Sequence, residues 1–366
     1  MKNLHVCLVA PFAPRKGGVT VQTELLARYL ERDGVDVLRV NTNLHSLRRR
    51  GWGPLRLVLQ PWVVLLRLLK NMPAAQVVHF QAASYWGYMP TFIGVPLGKL
   101  FGKRCVVSYQ GGGGPRFVDR LGCVVRFPMK LADVVTTCSL ELRDEFDKRG
   151  VETVLLRNLY DSDVFTLVER GEPAPRLVWT RSMEPIYDPM MALRAFEIVQ
   201  NRYPDASLIM TSDGSLRAEM ERYIEDENLR GVILPGRVPT EAVARFMHEA
   251  SICINTSRVD GLPTALLEAS ATGLPVVTTP AGGIASLFED GVSARFVGFG
   301  DHEAMAEAVC GLLEEPAEYR RLGEAAREVA AEYGWDRTSK ELGRIYGLTQ
   351  AGADVPGDSL GCRGSV

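Results

Sequence analysis

The residues best suited to chemistry lie in one string, Asp260-Gly-Leu-Pro-Thr-Ala-Leu-Leu-Glu268-Ala-Ser-Ala-Thr-Gly273-Leu-Pro275-Val-Val. It follows the apolar run Ile252–Asn255, and its pattern predicts a helix over Thr264–Thr272 that opens just after Pro263. Free amides at a helix start favour a negatively charged ligand group. Glu268, one turn inside, is placed to accept hydrogen bonds from a diol, and Asp260, in the preceding loop, from a further hydroxyl. The plainer alternative makes Glu268 a solvated helix residue and Asp260 a cap. The full run, closed by Gly273-Leu-Pro275 before an apolar strand, favours the site.

The elements that must position these side chains alternate along the chain. Leu4–Ala10 reads as a strand buried on both faces. A Pro/Gly loop, Pro11–Gly18, leads into a helical pattern from Thr20 that stops at Gly34, and Val35–Asn41 is a second strand. Val77–Gln81, Arg104–Gln110, Val134–Cys138 and Val154–Leu156 are further strands, with helices such as Ser139–Arg149 between them. After the polar linker Gly171-Glu-Pro-Ala-Pro175 the pattern restarts with strand Leu177–Thr180 and helix Pro189–Arg202. Strand Ser207–Thr211, helix Leu216–Glu227, strand Val232–Leu234, helix Thr240–Ala250 and strand Pro275–Thr279 continue it. Such alternation predicts an α/β fold with two doubly wound, Rossmann-like parallel sheets. Ligands of such sheets bind beyond the carboxyl ends of the strands, in a cleft when two sheets face each other.

Nearly the whole chain resembles the retaining, nucleotide-sugar-dependent glycosyltransferases of the GT-B fold, family 4. Asp260 and Glu268, spaced by seven residues, stand in its acidic frame. Pro14-Arg-Lys-Gly17-Gly18 is similar to its first Gly-Gly loop, Ala132-Asp133…Ser139 and Asn158-Leu-Tyr-Asp161…Phe165 to its markers before the crossover, and Ser212-Asp213-Gly214 to its Gly-Asp-Gly. Gly236-Arg237-Val238, Gly282-Gly283 and Tyr333-Gly-Trp335…Leu342…Tyr346 complete the order. The resemblance implies sugar transfer from a UDP- or GDP-sugar to a glycan or lipid-linked acceptor with retention of configuration, without a metal or other cofactor. Arg181 would meet the diphosphate, for which guanidinium geometry is suited. Glu268 would take the ribose, Asp260, Gly261, Leu262, Pro263 and Thr264 the sugar and diphosphate, Arg237 and Val238 the base, and Gly17 and Gly18 the donor side. Gln110, Gly111 and His79 are acceptor-side candidates. The implied domains are 1–168, with a helix about 336–349 packing back onto it, and 172–335; residues 350–366 read as a disordered tail.

Departures from that pattern define an alternative, a scaffold or binding subunit of a polysaccharide-synthesising complex that has lost turnover. Ile186 or Tyr187 stands about where the family has a phosphate-binding Lys, and Arg258 and Lys16 are candidates to replace it. Asp260 replaces the usual Glu, Gln110 a common His, and Ser286 a frequent Glu. Asp161-Ser162-Asp163 spells the metal-binding string of another transferase fold but reads as a turn before the linker.

The composition fits this picture. The chain has 366 residues, 46% apolar and 23% charged, which is globular and enough for two cores. Residues 1–170 hold 24 Lys and Arg against 14 Asp and Glu, and residues 171–366 hold 18 against 30. A basic half invites an anionic partner. The aromatic–basic interleaving of a single-strand nucleic-acid binder is missing, so nucleic acid is not the expected partner. Seven scattered cysteines without a CxxC pair argue against a disulfide framework or structural zinc, and no cleavable leader is read, so a cytoplasmic protein is expected. Residues 47–70 mix cations, Trp52, Trp62 and an apolar face, the composition of a helix lying on an anionic membrane surface. A core helix with its cations in water is the competing reading.

Overall fold

The computed structural model describes residues 1, 3–12, 18–43, 53–110 and 114–348, apart from the side chains of 53–58 and 114–115. The expectations for Gly17, Gly111, Lys16, residues 47–52 and the tail 350–366 lie outside the described residues.

The first half runs β1 (His5–Ala10), α1 (Gly18–Arg32), β2 (Asp36–Asn41), α2 (Gly53–Asn71), β3 (Val77–Ala82), α3 (Met89–Leu100), β4 (Arg104–Tyr109), α4 (Gly114–Leu131), β5 (Val134–Thr137), α5 (Leu140–Asp147) and β6 (Val154–Leu155). Its six strands are parallel, in the order β2-β1-β3-β4-β5-β6. The central strands carry apolar side chains on both faces, as burial between two helix layers requires. One layer encloses Val64, Leu68, Val95 and Phe117, the other Leu26, Tyr29 and Leu30.

The second half comprises β7 (Arg176–Trp179), α6 (Pro189–Arg202), β8 (Ser207–Thr211), α7 (Arg217–Asp226), β9 (Val232–Gly236), α8 (Thr240–Glu249), β10 (Ile252–Asn255), α9 (Thr264–Ala271), β11 (Val276–Thr278), α10 (Gly283–Leu287), β12 (Arg295–Phe296), α11 (His302–Glu314), α12 (Pro316–Ala331) and α13 (Trp335–Ile345). Its sheet, also parallel, has the order β12-β11-β10-β7-β8-β9. The strand order reverses between β1 and β3 in the first sheet and between β7 and β10 in the second. At each reversal the loops beyond the carboxyl ends part, and a crevice opens for a ligand.

Helix α13 returns to the first sheet. Trp335 stacks on Tyr29 with ring centroids 5.1 Å apart, and its indole N–H donates to Asp33 at 2.9 Å. Leu342, Ile345 and Tyr346 join the core that holds Leu4, Val6 and Leu8. The crossover after β6 is fixed from the same side: Gln22 both donates to the carbonyl and accepts from the N–H of Leu159, at 2.7 Å each.

The string Asp161-Ser-Asp163 is a turn whose carboxylates face arginines. Asp161 pairs with Arg28 at 2.5 Å and accepts from Tyr29 Oη, and Asp163 pairs with Arg32 at 2.7 Å. The described part of residues 47–70 is helix α2, with Val64 and Leu68 in the core and Trp62 and Leu66 63% and 65% exposed. It therefore has both a core flank and an outward apolar flank. Among the described residues no helix is long and apolar enough to cross a membrane.

Candidate functional site

Arg181 and Asp260 come from the loops after β7 and β10, the two strands that flank the reversal in the second sheet. Their charged groups meet at 2.7 Å with side chains only 15% and 5% exposed. The Arg181 guanidinium also lies over the Tyr187 ring, 4.3 Å from its centroid, and its Nε is buried without a hydrogen-bond partner. A buried donor without a partner is uncommon and calls for an acceptor. Burial pushes the Asp260 carboxyl up from its ordinary range despite the opposing pull of Arg181.

Glu268 sits one turn into α9, on the same helix that begins at Thr264 immediately after the Asp260 loop. Burial, with the Asp161 charge nearby, pushes its carboxyl up to about 8, while Arg181 pulls it back. The Arg181 charge therefore acts on both Asp260 and Glu268, and Asp161 of the crossover acts on Glu268. Sequence reasoning treated Asp161 only as a structural marker, since its partner Arg28 lies far away along the chain in α1.

The Gly282–Gly283 loop explains why the Asp260 loop keeps its shape. Gly282 has φ 52°, and a Cβ there would lie 2.3 Å from the Asp260 carbonyl oxygen; one on Gly283 would lie 1.6 Å from that of Gly261. Only glycines allow this approach. The Gly283 N–H then donates to the Asp260 carbonyl at 3.1 Å, and Ser257 Oγ lies 3.5 Å from the Asp260 carboxylate. Ser286, further along α10, reaches Glu141 of α5 at 3.3 Å and so spans the two halves.

The place of the missing Lys is also defined. Ile186 is exposed, and its carbonyl accepts from the Arg258 N–H at 2.8 Å. The exposed Arg258 guanidinium lies on Asp188, with Nη2 to Oδ2 at 2.6 Å. Arg258 therefore puts a cation beside the gap, whereas Lys16 lies outside the described residues. Glu184 is committed to Ser215, accepting from its N–H and Oγ.

Other expected positions scatter. Leu262 and Pro263 form the loop into α9, with Gly261 exposed. Arg237 and Val238 follow the edge strand β9, at the same carboxyl edge as Arg181 but two strands away. Gly18 opens α1 and lines a cavity of about 510 Å³ in the first half. Gln110 directly follows β4 and donates its N–H to the Ala82 carbonyl at 2.9 Å.

His79 requires correction. It stands in the middle of β3, fully buried, with Nδ1 at 2.8 Å from Tyr346 Oη and Nε2 at 2.6 Å from Ser108 Oγ. Burial lowers its pKa to about 3, so it is a neutral core histidine. Both ring nitrogens are taken by core partners, so no nitrogen is left to face an acceptor. Sequence reasoning also passed over Tyr85 and Trp86, which line the 510 Å³ cavity. Their signal was the aromatic cluster Tyr85-Trp-Gly-Tyr88 directly after an apolar strand.

Residues 174–315 match the family model described as glycosyl transferases group 1. A D-inositol 3-phosphate glycosyltransferase of Paenarthrobacter aurescens is 29% identical over 46% of this chain and 42% of its own length. The amylovoran biosynthesis glycosyltransferase AmsK of Erwinia amylovora is 30% identical over 42% of this chain and 40% of its own. The chain thus spans about two fifths of the length of these curated relatives. Among solved structures, Anabaena Alr3699/HepE in complex with UDP has a TM-score of 0.69 at 15% identity, covering 95% of this chain and 100% of that one. A glycosyltransferase from Rickettsia africae has a TM-score of 0.71 at 14% identity, over 94% and 98%. These likenesses show the fold of the whole chain. The chain has the GT-B fold, and its residues 174–315 are similar to the glycosyl transferases group 1.

Proposed function

We propose that the chain is a retaining, family-4-like glycosyltransferase that moves a hexose-type sugar from a UDP- or GDP-sugar to a glycan or lipid-linked acceptor. The observation that carries this reading is the Arg181–Asp260 pair at the reversal of the second sheet, with an unpartnered Arg181 Nε and Glu268 within electrostatic reach.

Breaking a sugar–phosphate bond builds negative charge on the departing diphosphate, and fixed positive groups stabilise it. Arg181 and the start of α9 supply such groups, with Arg258 as the second cation where the family has Lys. Glu268 accepts from the ribose hydroxyls, Asp260 and the Gly261–Pro263 loop hold the sugar, and Arg237 and Val238 meet the base. The acceptor enters from the first half, and retention, which the family resemblance implies, requires its hydroxyl to attack on the face from which the diphosphate departs. No step calls for a metal.

The outward flank of α2, with Trp62, Leu66, Leu69 and Lys70 exposed, supports docking on an anionic membrane surface at the cytoplasmic side. Incubating the purified chain with a panel of UDP-, GDP- and ADP-sugars and simple acceptors, with product anomers read by NMR, tests the reading. Transfer with retention, lost in Arg181→Ala and Glu268→Ala, is expected; nucleotide binding without transfer would return the scaffold alternative.

A further inference from the structure

We infer that the outer flank of α4 is a second membrane-binding element, so that the whole outer face of the α2–α3–α4 layer lies on an anionic bilayer; this deepens, and rests on, the docking proposed above for α2. Helix α3 packs between α2 and α4 on one face of the first sheet. Val64 and Leu68 of α2, Val95 of α3, and Val125 and Met129 of α4 share one core. What each helix turns away from that core therefore points to the same side. Helix α4 turns out Leu121, Val124 and Phe127, which recur every third residue and are 42%, 50% and 55% exposed. Phe92 and Leu100 of α3 are exposed beside them, as are Trp62 and Leu66 of α2. Single apolar residues on a surface need no explanation, but a run of them across three neighbouring helices marks a surface with a partner.

The charges decide what that partner is. The sequence puts three Lys and Arg in α2, one in α3 and four in α4, against a single acid, Asp119. Asp119 is itself met by Arg149, just after α5, at 2.7 Å. Arg116, Arg120 and Lys130 stand exposed around the apolar flank of α4. A second copy of the chain on this face would set cations against cations, and like charges brought together repel. An anionic lipid surface answers both features, since its acyl boundary takes Leu121, Val124 and Phe127 while its headgroups take the cations. The opposite layer lacks the combination: α1 carries Glu24 and Glu31, and Val21 is its one exposed large apolar side chain among the described residues.

Cys123, exposed between Leu121 and Val124, places a reporter on the flank itself. An environment-sensitive fluorophore is attached there in the full chain with Cys138 and Cys362 replaced by Ser. Its emission is expected to move to shorter wavelength on vesicles of mixed phosphatidylglycerol and phosphatidylcholine, and to stay unchanged with phosphatidylcholine alone. Co-sedimentation of the unlabelled chain with the anionic vesicles is expected to fall severalfold in Val124→Ser/Phe127→Ser, with α2 intact. It is expected to fall about fivefold for each cation removed in Arg120→Gln and in Lys130→Gln. Val21→Ser, on the opposite layer, is expected to leave it unchanged, and the thermal shift given by UDP is expected to persist in every variant. Vesicle binding without a change at Cys123, or undiminished binding by the α4 variants, would overturn the inference and leave docking to α2 alone. No vesicle binding by the native chain would overturn both. A dimer that Val124→Ser/Phe127→Ser dissolves, without vesicle binding, would give the face to a second copy and equally overturn the inference. Vesicle binding with the expected losses, by a chain that binds no nucleotide, would remove the transferase reading and leave the membrane face standing.

Discussion

Replacing Arg181 by Met keeps most of the aliphatic packing and removes the charge. Asp260, 5% exposed, then loses the group that balances it, and orphaning one member of a buried pair costs about 3–5 kcal/mol. Two features cap the cost. Arg181 is 15% exposed, so water can enter the gap. Asp260 can also take up a proton, and neutralising a carboxyl with an ordinary value of 3.8 at pH 7 costs at most about 4 kcal/mol. Loss of the stacking on Tyr187 adds about 0.5–1 kcal/mol. The net expectation is about 3 kcal/mol, a fall of about 6–12 °C in the melting temperature of the second half. Arg181→Met/Asp260→Asn recovers most of that stability, because neither charge is stranded, but recovers no transfer. The single variant's deficit also shrinks as pH falls towards 4, since a protonated Asp260 needs no partner. Calorimetry with transfer rates measured alongside decides it. A fall below about 2 °C together with native affinity for UDP would refute the buried-pair argument and the role of Arg181.

Three further outcomes are expected. The carboxyl of Glu268 is raised from 4.5 to about 8, so the folded chain holds a proton that the unfolded chain releases between those values. Stability therefore falls with rising pH across that window, by at most about 1.4 kcal/mol per pH unit, and Glu268→Gln loses this slope; identical melting-temperature profiles for the two proteins would contradict it. Arg258→Gln is expected to weaken diphosphate binding about tenfold at a small cost in stability, because the Arg258 side chain is itself exposed; unchanged UDP affinity by calorimetry would remove it as the replacement for the missing Lys. Trp62→Ser/Leu66→Ser is expected to reduce co-sedimentation with anionic vesicles severalfold without affecting UDP binding, and equal binding of the native chain to anionic and neutral vesicles would exclude the membrane role.

Much of the architecture could be read from the chain because buried parallel strands are short apolar runs with few alternatives. Ile252–Asn255, Ser207–Thr211 and helix Pro189–Arg202 have the expected bounds. Ends set by tertiary hydrogen bonds shifted by a residue or two: β9 continues through Pro235 to Gly236, where it pairs with Thr211 across a bulge. Helices α3 and α4 were not singled out, since α3 is apolar on nearly every face and α4 is broken at Gly122. At the site, Arg181 and Asp260 could be singled out because each follows a strand, and Glu268 because it stands in the helix that opens after the Asp260 loop. His79 was misread because its partners, Ser108 and Tyr346, lie 29 and 267 residues away, a distance no local pattern spans.

A crystal structure of the chain with bound UDP tests the central claim most directly. The diphosphate is predicted to lie between the Arg181 guanidinium and the first turn of α9, with the ribose hydroxyls on Glu268. Density for the nucleotide anywhere else, the cavity beside Trp86 included, would contradict it.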